Sequence, residues 1–358
     1  MRIRKKSSIV AIMLVICLGS TAYASDLTIN ENNVRVSDSY VYQLTSEDEE
    51  WKSLTIQEKI EACRIPKVVL YDMSDEELIQ AIIDFPFIHE VYLYDDIETG
   101  IKSLESISDA YKELINRESG LTSLMNYIRL NIPSVSDEIT AEEEFINDVL
   151  AAIIAFQEKF QDSLTVSDME KISEISAIVE YNVVQDISPY GAVLPGVTDG
   201  PKTPNGNAVP YATNTCNHSA SNYHAVEDQK IVQQYGVTLV SSGTCKYNCH
   251  SYAWYSTSTS NSFWIDNPAK YMMDGSYSKI LTGAGSSSSG VAAGCKLFYG
   301  SYTNLERAHS AIITEPASNI ALGARIVRSK WGRLGVFEHV ATNVPAAYDT
   351  SNLSAWRR

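Results

Sequence analysis

Between Ser188 and Thr215 the chain is broken repeatedly by Pro189, Gly191, Pro195, Gly196, Gly200, Pro201, Pro204, Gly206 and Pro210. Proline brings no N–H to a helix or a sheet ladder, and glycine weakens both. No regular element is expected through this stretch. It separates two parts of opposite character. Residues 25–190 hold 35 Asp and Glu against 11 Lys and Arg, a net −24, whereas residues 191–358 hold 9 against 13, a net +4. The sequence thus reads as an acidic domain over 25–187, a linker over 188–215 and a second domain over 216–358. An acidic half of this size repels phosphate and argues against a nucleic-acid partner. Opposite net charges predict a contact between the halves that salt weakens.

Residues 1–24 carry Arg2, Arg4, Lys5 and Lys6, then the apolar run Ile9 to Leu18, then Ala22-Tyr23-Ala24. This is the layout of a secretory signal peptide cleaved after Ala24. It predicts an exported, extracellular protein. The apolar run is too short to span a bilayer, and no later segment approaches the ~20 apolar residues a span needs. No membrane span is expected.

The acidic half reads as helix. Ser46-x-x-Glu49 and Ser74-x-x-Glu77 have the form of capping boxes. Leu78, Ile79, Ile82 and Ile83 share one helical face. Phe145, Val149, Ile153, Phe156 and Phe160 recur every three or four residues, the spacing of a buried helical stripe. Acidic clusters such as Glu142 to Glu144 suit the first turn of a helix and lack the spacing of a calcium loop.

The chemistry sits in the second half. Lys246-Tyr247-Asn248-Cys249-His250-Ser251-Tyr252-Ala253-Trp254 places a cysteine at the opening of a short helix. Backbone N–H groups there favour a thiolate and can receive an oxyanion. His309-Ser310-Ala311-Ile312-Ile313 reads as a buried strand with a histidine at its mouth. Arg325 to Gly332 reads as a second strand ending Ser329-Lys330-Trp331-Gly332.

In that order these segments resemble the papain-like cysteine peptidase superfamily, including the NlpC-type and CHAP-type amidases, over roughly residues 220–345. The superfamily's histidine strand is followed by a strand ending Asn-Ser-Trp-Gly. The resemblance implies an α+β chain, an all-helical N-terminal domain followed by a cysteine helix packed on an antiparallel sheet. It implies Cys249 as nucleophile, His309 as base and Ser329 in place of the orienting asparagine, with Trp331 shielding their hydrogen bond. His339 is the alternative third residue. The family's oxyanion glutamine has no counterpart among Ser241, Ser242, Gly243 and Thr244, which leaves the oxyanion to the Cys249 amide and a neighbour such as Asn248 or Tyr247. The segment from Trp51 to Pro66, with Met73-Ser74 and Phe85-Pro86, resembles a helical module found ahead of varied domains in secreted Gram-positive proteins. That likeness implies no chemistry.

Past the signal the chain keeps Cys63, Cys216, Cys245, Cys249 and Cys295. An odd number leaves at least one thiol unpaired. The pairing of Cys63, Cys216, Cys245 and Cys295 is not fixed by sequence, and a Cys245–Cys249 bridge would remove the nucleophile. Cys216, His218, Cys245 and Cys249 have the residue types of a zinc set, but C-x-H with C-x3-C is not a standard ligand spacing. The expectation is no metal and no cofactor. The leading expectation is an exported hydrolase cleaving an amide bond through a thioester, in a protein or in the stem peptide of peptidoglycan. The alternative is a non-catalytic binding or adhesion protein on a hydrolase-like scaffold. Acyl transfer of the transglutaminase kind fits less well, since no aspartate follows at the matching strand.

Overall fold

The computed structural model describes residues 40–94, 96–131, 139–176, 200–215 and 218–358. The signal-peptide reading, residues 188–199 of the Pro/Gly-rich stretch and Cys216 lie outside them. The fold class is α+β: helices lead, and an antiparallel sheet follows.

The α-helices run α1 Ile56–Ala62, α2 Lys67–Asp72, α3 Asp75–Ile83, α4 Ile97–Ile107, α5 Asp109–Leu114, α6 Gly120–Asn131, α7 Ala141–Phe156, α8 Glu158–Gln161, α9 Val166–Ile175, α10 Tyr223–Tyr235 and, within the second half, the short α11 Ala269–Met273. Local chemistry explains their starts. The Ser74 hydroxyl accepts from the Glu77 N–H while the Glu77 carboxylate accepts from the Ser74 N–H, the expected capping box. Thr55 with Glu58, Thr140 with Glu143 and Thr165 with Asp168 repeat it. Ser46 and Glu49 do not form one. Thr45 bonds Asp48 in their place, and a single 3-10 turn, Glu50–Ser53, follows. α7 carries the predicted stripe but stops early. At Gln157 the backbone turns extended and its side-chain oxygen accepts from the Lys159 N–H, so α8 starts as a separate piece. No helix among the described residues is long and apolar enough to cross a membrane.

The strands are β1 Thr238–Ser241, β2 Ser278–Thr282, β3 Lys296–Ser301, β4 Asn304–Ile313, β5 Ile326–Lys330, β6 Val336–Val340 and β7 Leu353–Arg357, in the spatial order β1-β6-β5-β4-β3-β7-β2. Every pairing is antiparallel, and β4 is the central strand.

The two halves are not separate domains. Residues 38–358 make one compact unit, and a single apolar cluster runs from Trp51, Phe87 and Phe145 through Tyr235 to Trp331, Phe337 and Leu353. The predicted boundary fails because the helices present aromatics to the sheet rather than a closed polar surface. Trp51 Nε1 donates to the Gln234 carbonyl at 2.9 Å, and Tyr348 donates to the Leu93 carbonyl at 2.8 Å. The Tyr92 and Tyr223 hydroxyls meet at 2.7 Å, and Tyr235 stands edge-on to both Phe87 and Trp331. The Arg333 N–H donates to the Tyr92 carbonyl at 3.1 Å, pressing the turn after β5 onto the 3-10 helix Ile88–Leu93. Apolar burial of this kind holds the halves together without depending on their net charges, and charged contacts such as Lys230 Nζ to the Glu142 carboxylate at 3.1 Å accompany it. The described end of the Pro/Gly-rich stretch is also fastened down. Thr203 and Asn207 bond the Asp274 carboxylate, and Ala212 bridges to Trp264.

A protease site inserted between residues 177 and 199 should therefore yield two fragments that co-elute on gel filtration and unfold in one urea transition. Fragments that separate, each folded, would restore the two-domain reading.

Candidate functional site

The cysteine helix opens as predicted. Cys249 and His250 begin it, and Ser251–Tyr255 continue it as a π-helical turn in which the Ser256 N–H reaches the Ser251 carbonyl at 3.0 Å. Such turns often mark functional positions. Cys249 is buried, at 3% exposure. Asn248, assigned to the oxyanion, has a structural role: its side-chain oxygen accepts from the Ser251 N–H at 3.1 Å and the Ile265 N–H at 3.3 Å, and its NH₂ donates to the Ile265 carbonyl at 2.9 Å. It caps the helix and ties it to the next loop.

The helix is locked to the sheet through Ser310. The Ser310 hydroxyl oxygen accepts from Trp254 Nε1 at 2.8 Å and lies 2.8 Å from His250 Nδ1. Burial pushes the His250 pKa down to about 3, so its ring is neutral.

Strand parity then decides where His309 goes. Successive β4 side chains alternate between faces. Ser310 points to the cysteine helix, so His309 points away from it. Its cross-strand partner Tyr299 lies on that far face, within the core shared with the helical half. There the His309 ring stacks on Tyr348, centroids 3.8 Å apart and 8° from parallel, and meets Tyr299 edge-on at 5.1 Å. It is fully buried, and neither ring nitrogen has a hydrogen-bond partner among the described residues. Burial, then the neighbouring His339 and His250, hold its pKa well below the usual histidine range.

Ser329 and Trp331 share this far face, but their partner is His339. His339 Nδ1 lies 2.9 Å from the Val340 carbonyl and donates to it, which leaves Nε2 as the acceptor. The Ser329 hydroxyl, 2.7 Å away, donates to that nitrogen and accepts from Trp331 Nε1 at 2.8 Å. With its one proton committed, Ser329 orients His339, not His309, and Trp331 covers the Ser329–His339 bond. Burial lowers the His339 pKa to about 4. The structure thus brings His309, Ser329, Trp331 and His339 to one face and sets the cysteine helix on the other. Cys63, Cys245, Cys249 and Cys295 form no disulfide with one another, so no Cys245–Cys249 bridge ties up the thiol.

A second grouping of cysteine and histidine lies where α7, α10 and the loop after β1 meet. Cys245 Sγ is 3.5 Å from His218 Nε2 and 3.9 Å from His224 Nε2. His218 Nδ1 faces Glu144 and Asp148, each at 3.8 Å. Sequence reading passed over His224, because only the first turn of α10 carries it back to His218. No family model, no curated protein and no solved structure matches this chain.

Proposed function

We propose that the chain is an exported protein that binds a peptide, a protein or a peptidoglycan stem peptide on a hydrolase-like scaffold, without cleaving it through Cys249. The observation that carries this reading is the parity of β4, which sends Ser310 to the cysteine helix and His309 to the opposite face. A thiol nucleophile needs its base within hydrogen-bond reach. Here the expected base is stacked on Tyr348 across the sheet. A binding surface lies beyond the end of the cysteine helix. Tyr255, Phe263 and Tyr211 form an edge-to-face row. Next to it, Pro210, Asn267, Ala269, Lys270, Met273 and Asp274 line an open depression of about 520 Å³. Met273 is 72% exposed. Aromatic faces and a flexible thioether beside charged groups suit a peptide with mixed side chains.

One observation favours the second reading, a cysteine hydrolase. A fully buried imidazole with no hydrogen-bond partner is costly, and a base kept neutral for proton transfer is one reason to keep it. In that reading Cys249 attacks an amide carbonyl to form a thioester, and His309 takes the thiol proton and passes it to the leaving amine. It requires a rearrangement that brings the two residues to one side of the sheet.

Two measurements on the intact protein separate these readings. Iodoacetamide and E-64 should both leave Cys249 unlabelled in the native protein from pH 5 to 8, and iodoacetamide should label it at pH 8 after unfolding, with His309→Ala making no difference. Peptidoglycan sacculi or a stem peptide should bind, and Tyr255→Ala combined with Met273→Asp should weaken binding at least about tenfold, as loss of an anchoring side chain does. Fast labelling of Cys249 well below the ~8.5 of an ordinary thiol, abolished by His309→Ala, would establish the hydrolase.

A further inference from the structure

The grouping of His218, His224 and Cys245 has the geometry of a metal site. All three donor atoms lie within 4.8 Å of one another. In a tetrahedral zinc site, with Zn–S near 2.3 Å and Zn–N near 2.0–2.1 Å, a sulfur and a nitrogen ligand stand about 3.5 Å apart. The two sulfur–nitrogen separations here are 3.5 and 3.9 Å. The His218 and His224 rings are nearly perpendicular, 87° at 5.1 Å, so both Nε2 atoms approach the sulfur without the rings colliding. A nucleophilic thiol needs one base. Two imidazoles converging on one sulfur match a shared ion better.

The surroundings are built for this. His218 is held flat against Tyr223, centroids 3.7 Å apart and 7° from parallel, with Nε2 toward Cys245 and Nδ1 toward two carboxylates. A carboxylate behind a ligating histidine fixes its tautomer and raises its basicity. Glu144 is anchored by the Ser219 and Ala220 N–H groups at 2.6 and 2.8 Å, and Asp148 by the Ser176 hydroxyl at 2.8 Å. Gly243 leaves room on the other side: a Cβ there would lie 2.9 Å from His224 Nδ1.

We infer that His218 Nε2, His224 Nε2 and the Cys245 thiolate bind one divalent cation of the zinc class, with Glu144 and Asp148 as positioning residues behind His218. The set differs from the one weighed on spacing, because His224 enters it from α10. Thiolate with imidazole selects zinc over magnesium or calcium, which prefer oxygen. Binding releases the Cys245 thiol proton to solvent, so affinity falls in acid. The ion would join the start of α10 to the loop that leads, four residues on, to Cys249. The site stands independently of whether the chain cleaves or only binds its ligand.

The test uses the full chain, dialysed against zinc and then against metal-free buffer, with metal counted by mass spectrometry. About one zinc per chain is expected in the wild type. Cobalt(II) in its place should give a tetrahedral spectrum with a thiolate charge-transfer band, and Cys245→Ser should remove that band. Glu144→Gln should weaken zinc affinity by roughly 10–100-fold without abolishing it. Wild-type protein that retains no zinc, or a cobalt spectrum without the thiolate band, overturns the proposal even if the variants fail to fold. A band that survives Cys245→Ser overturns it as well.

Discussion

Gly332→Ala is expected to remove a large part of the protein's stability. Gly332 has φ +51°, and a Cβ there would lie 2.0 Å from the Tyr92 carbonyl oxygen and 2.9 Å from Leu93 backbone atoms. Neither neighbour is a flexible side chain that can swing aside. Left-handed backbone at a non-glycine residue costs about 1–3 kcal/mol, and overpacking costs about 1–3 kcal/mol more. Together they compare with a typical total of about 5–15 kcal/mol. The expected readout is a much lower urea midpoint, followed by tryptophan fluorescence. A change within about 0.5 kcal/mol, the size of an ordinary surface substitution, would show that the turn after β5 does not rest on the helical half.

Glu90→Gln should stabilise the protein at alkaline pH and leave it unchanged in acid. Glu90 is buried beside α10, and the Tyr235 hydroxyl donates to it at 2.5 Å. Burial raises its pKa to about 7, against an opposing effect of the bonds from Tyr235 and Ala346. The folded protein therefore holds a proton that the unfolded chain gives up near pH 4.5. The neutral acid's contribution is complete below that pH, is lost as pH rises toward 7, and is constant above. At about 1.4 kcal/mol per unit the loss approaches 3 kcal/mol. Glutamine keeps the acceptor for Tyr235 and cannot ionise, so the variant should gain up to about that much at pH 8 and match the wild type at pH 4. His250 and His339, held neutral down to about pH 3 and 4, act in the opposite sense. Unfolding releases them to bind protons, so their contribution is full above pH 6.5 and shrinks below it. The wild-type profile mixes both, and the difference between variant and wild type isolates Glu90. A variant less stable than wild type at pH 8 would contradict the assignment.

Local features were legible in the sequence because they depend on residues a few positions apart. The Ser74-x-x-Glu77 box, the Phe145–Val149–Ile153 stripe and the strand running into Trp331-Gly332 all appear where their spacing put them. The neighbourhood of Ser329, Trp331 and His339 on one face follows from strand alternation within a single hairpin. The placement of His309 relative to Cys249 was not legible. It depends on which face of β4 receives the cysteine helix, and one residue of parity reverses that choice. The union of the halves was hidden for another reason. Net charge reports on the surface, while the aromatics that join them are spread from Trp51 to Tyr348 and show no local period. His224 escaped notice because Cys245, 21 residues on, meets it only through the fold.

The hydrogen bonds that join the halves also set the order in which the chain can mature. Tyr348 reaches back 255 residues to Leu93, and Gln234 reaches back 183 to Trp51. Contacts this distant in sequence are slow to form, because the intervening loop must close before they contribute. On a chain synthesised from its N-terminus, α1 to α9 emerge with their aromatic faces uncovered. They wait for β3 to β7 before that surface is sealed. Unsealed apolar surface of this kind is where aggregation begins. A truncation that removes β7 would leave the helices as sticky intermediates rather than as a smaller protein, although every one of them precedes the cut.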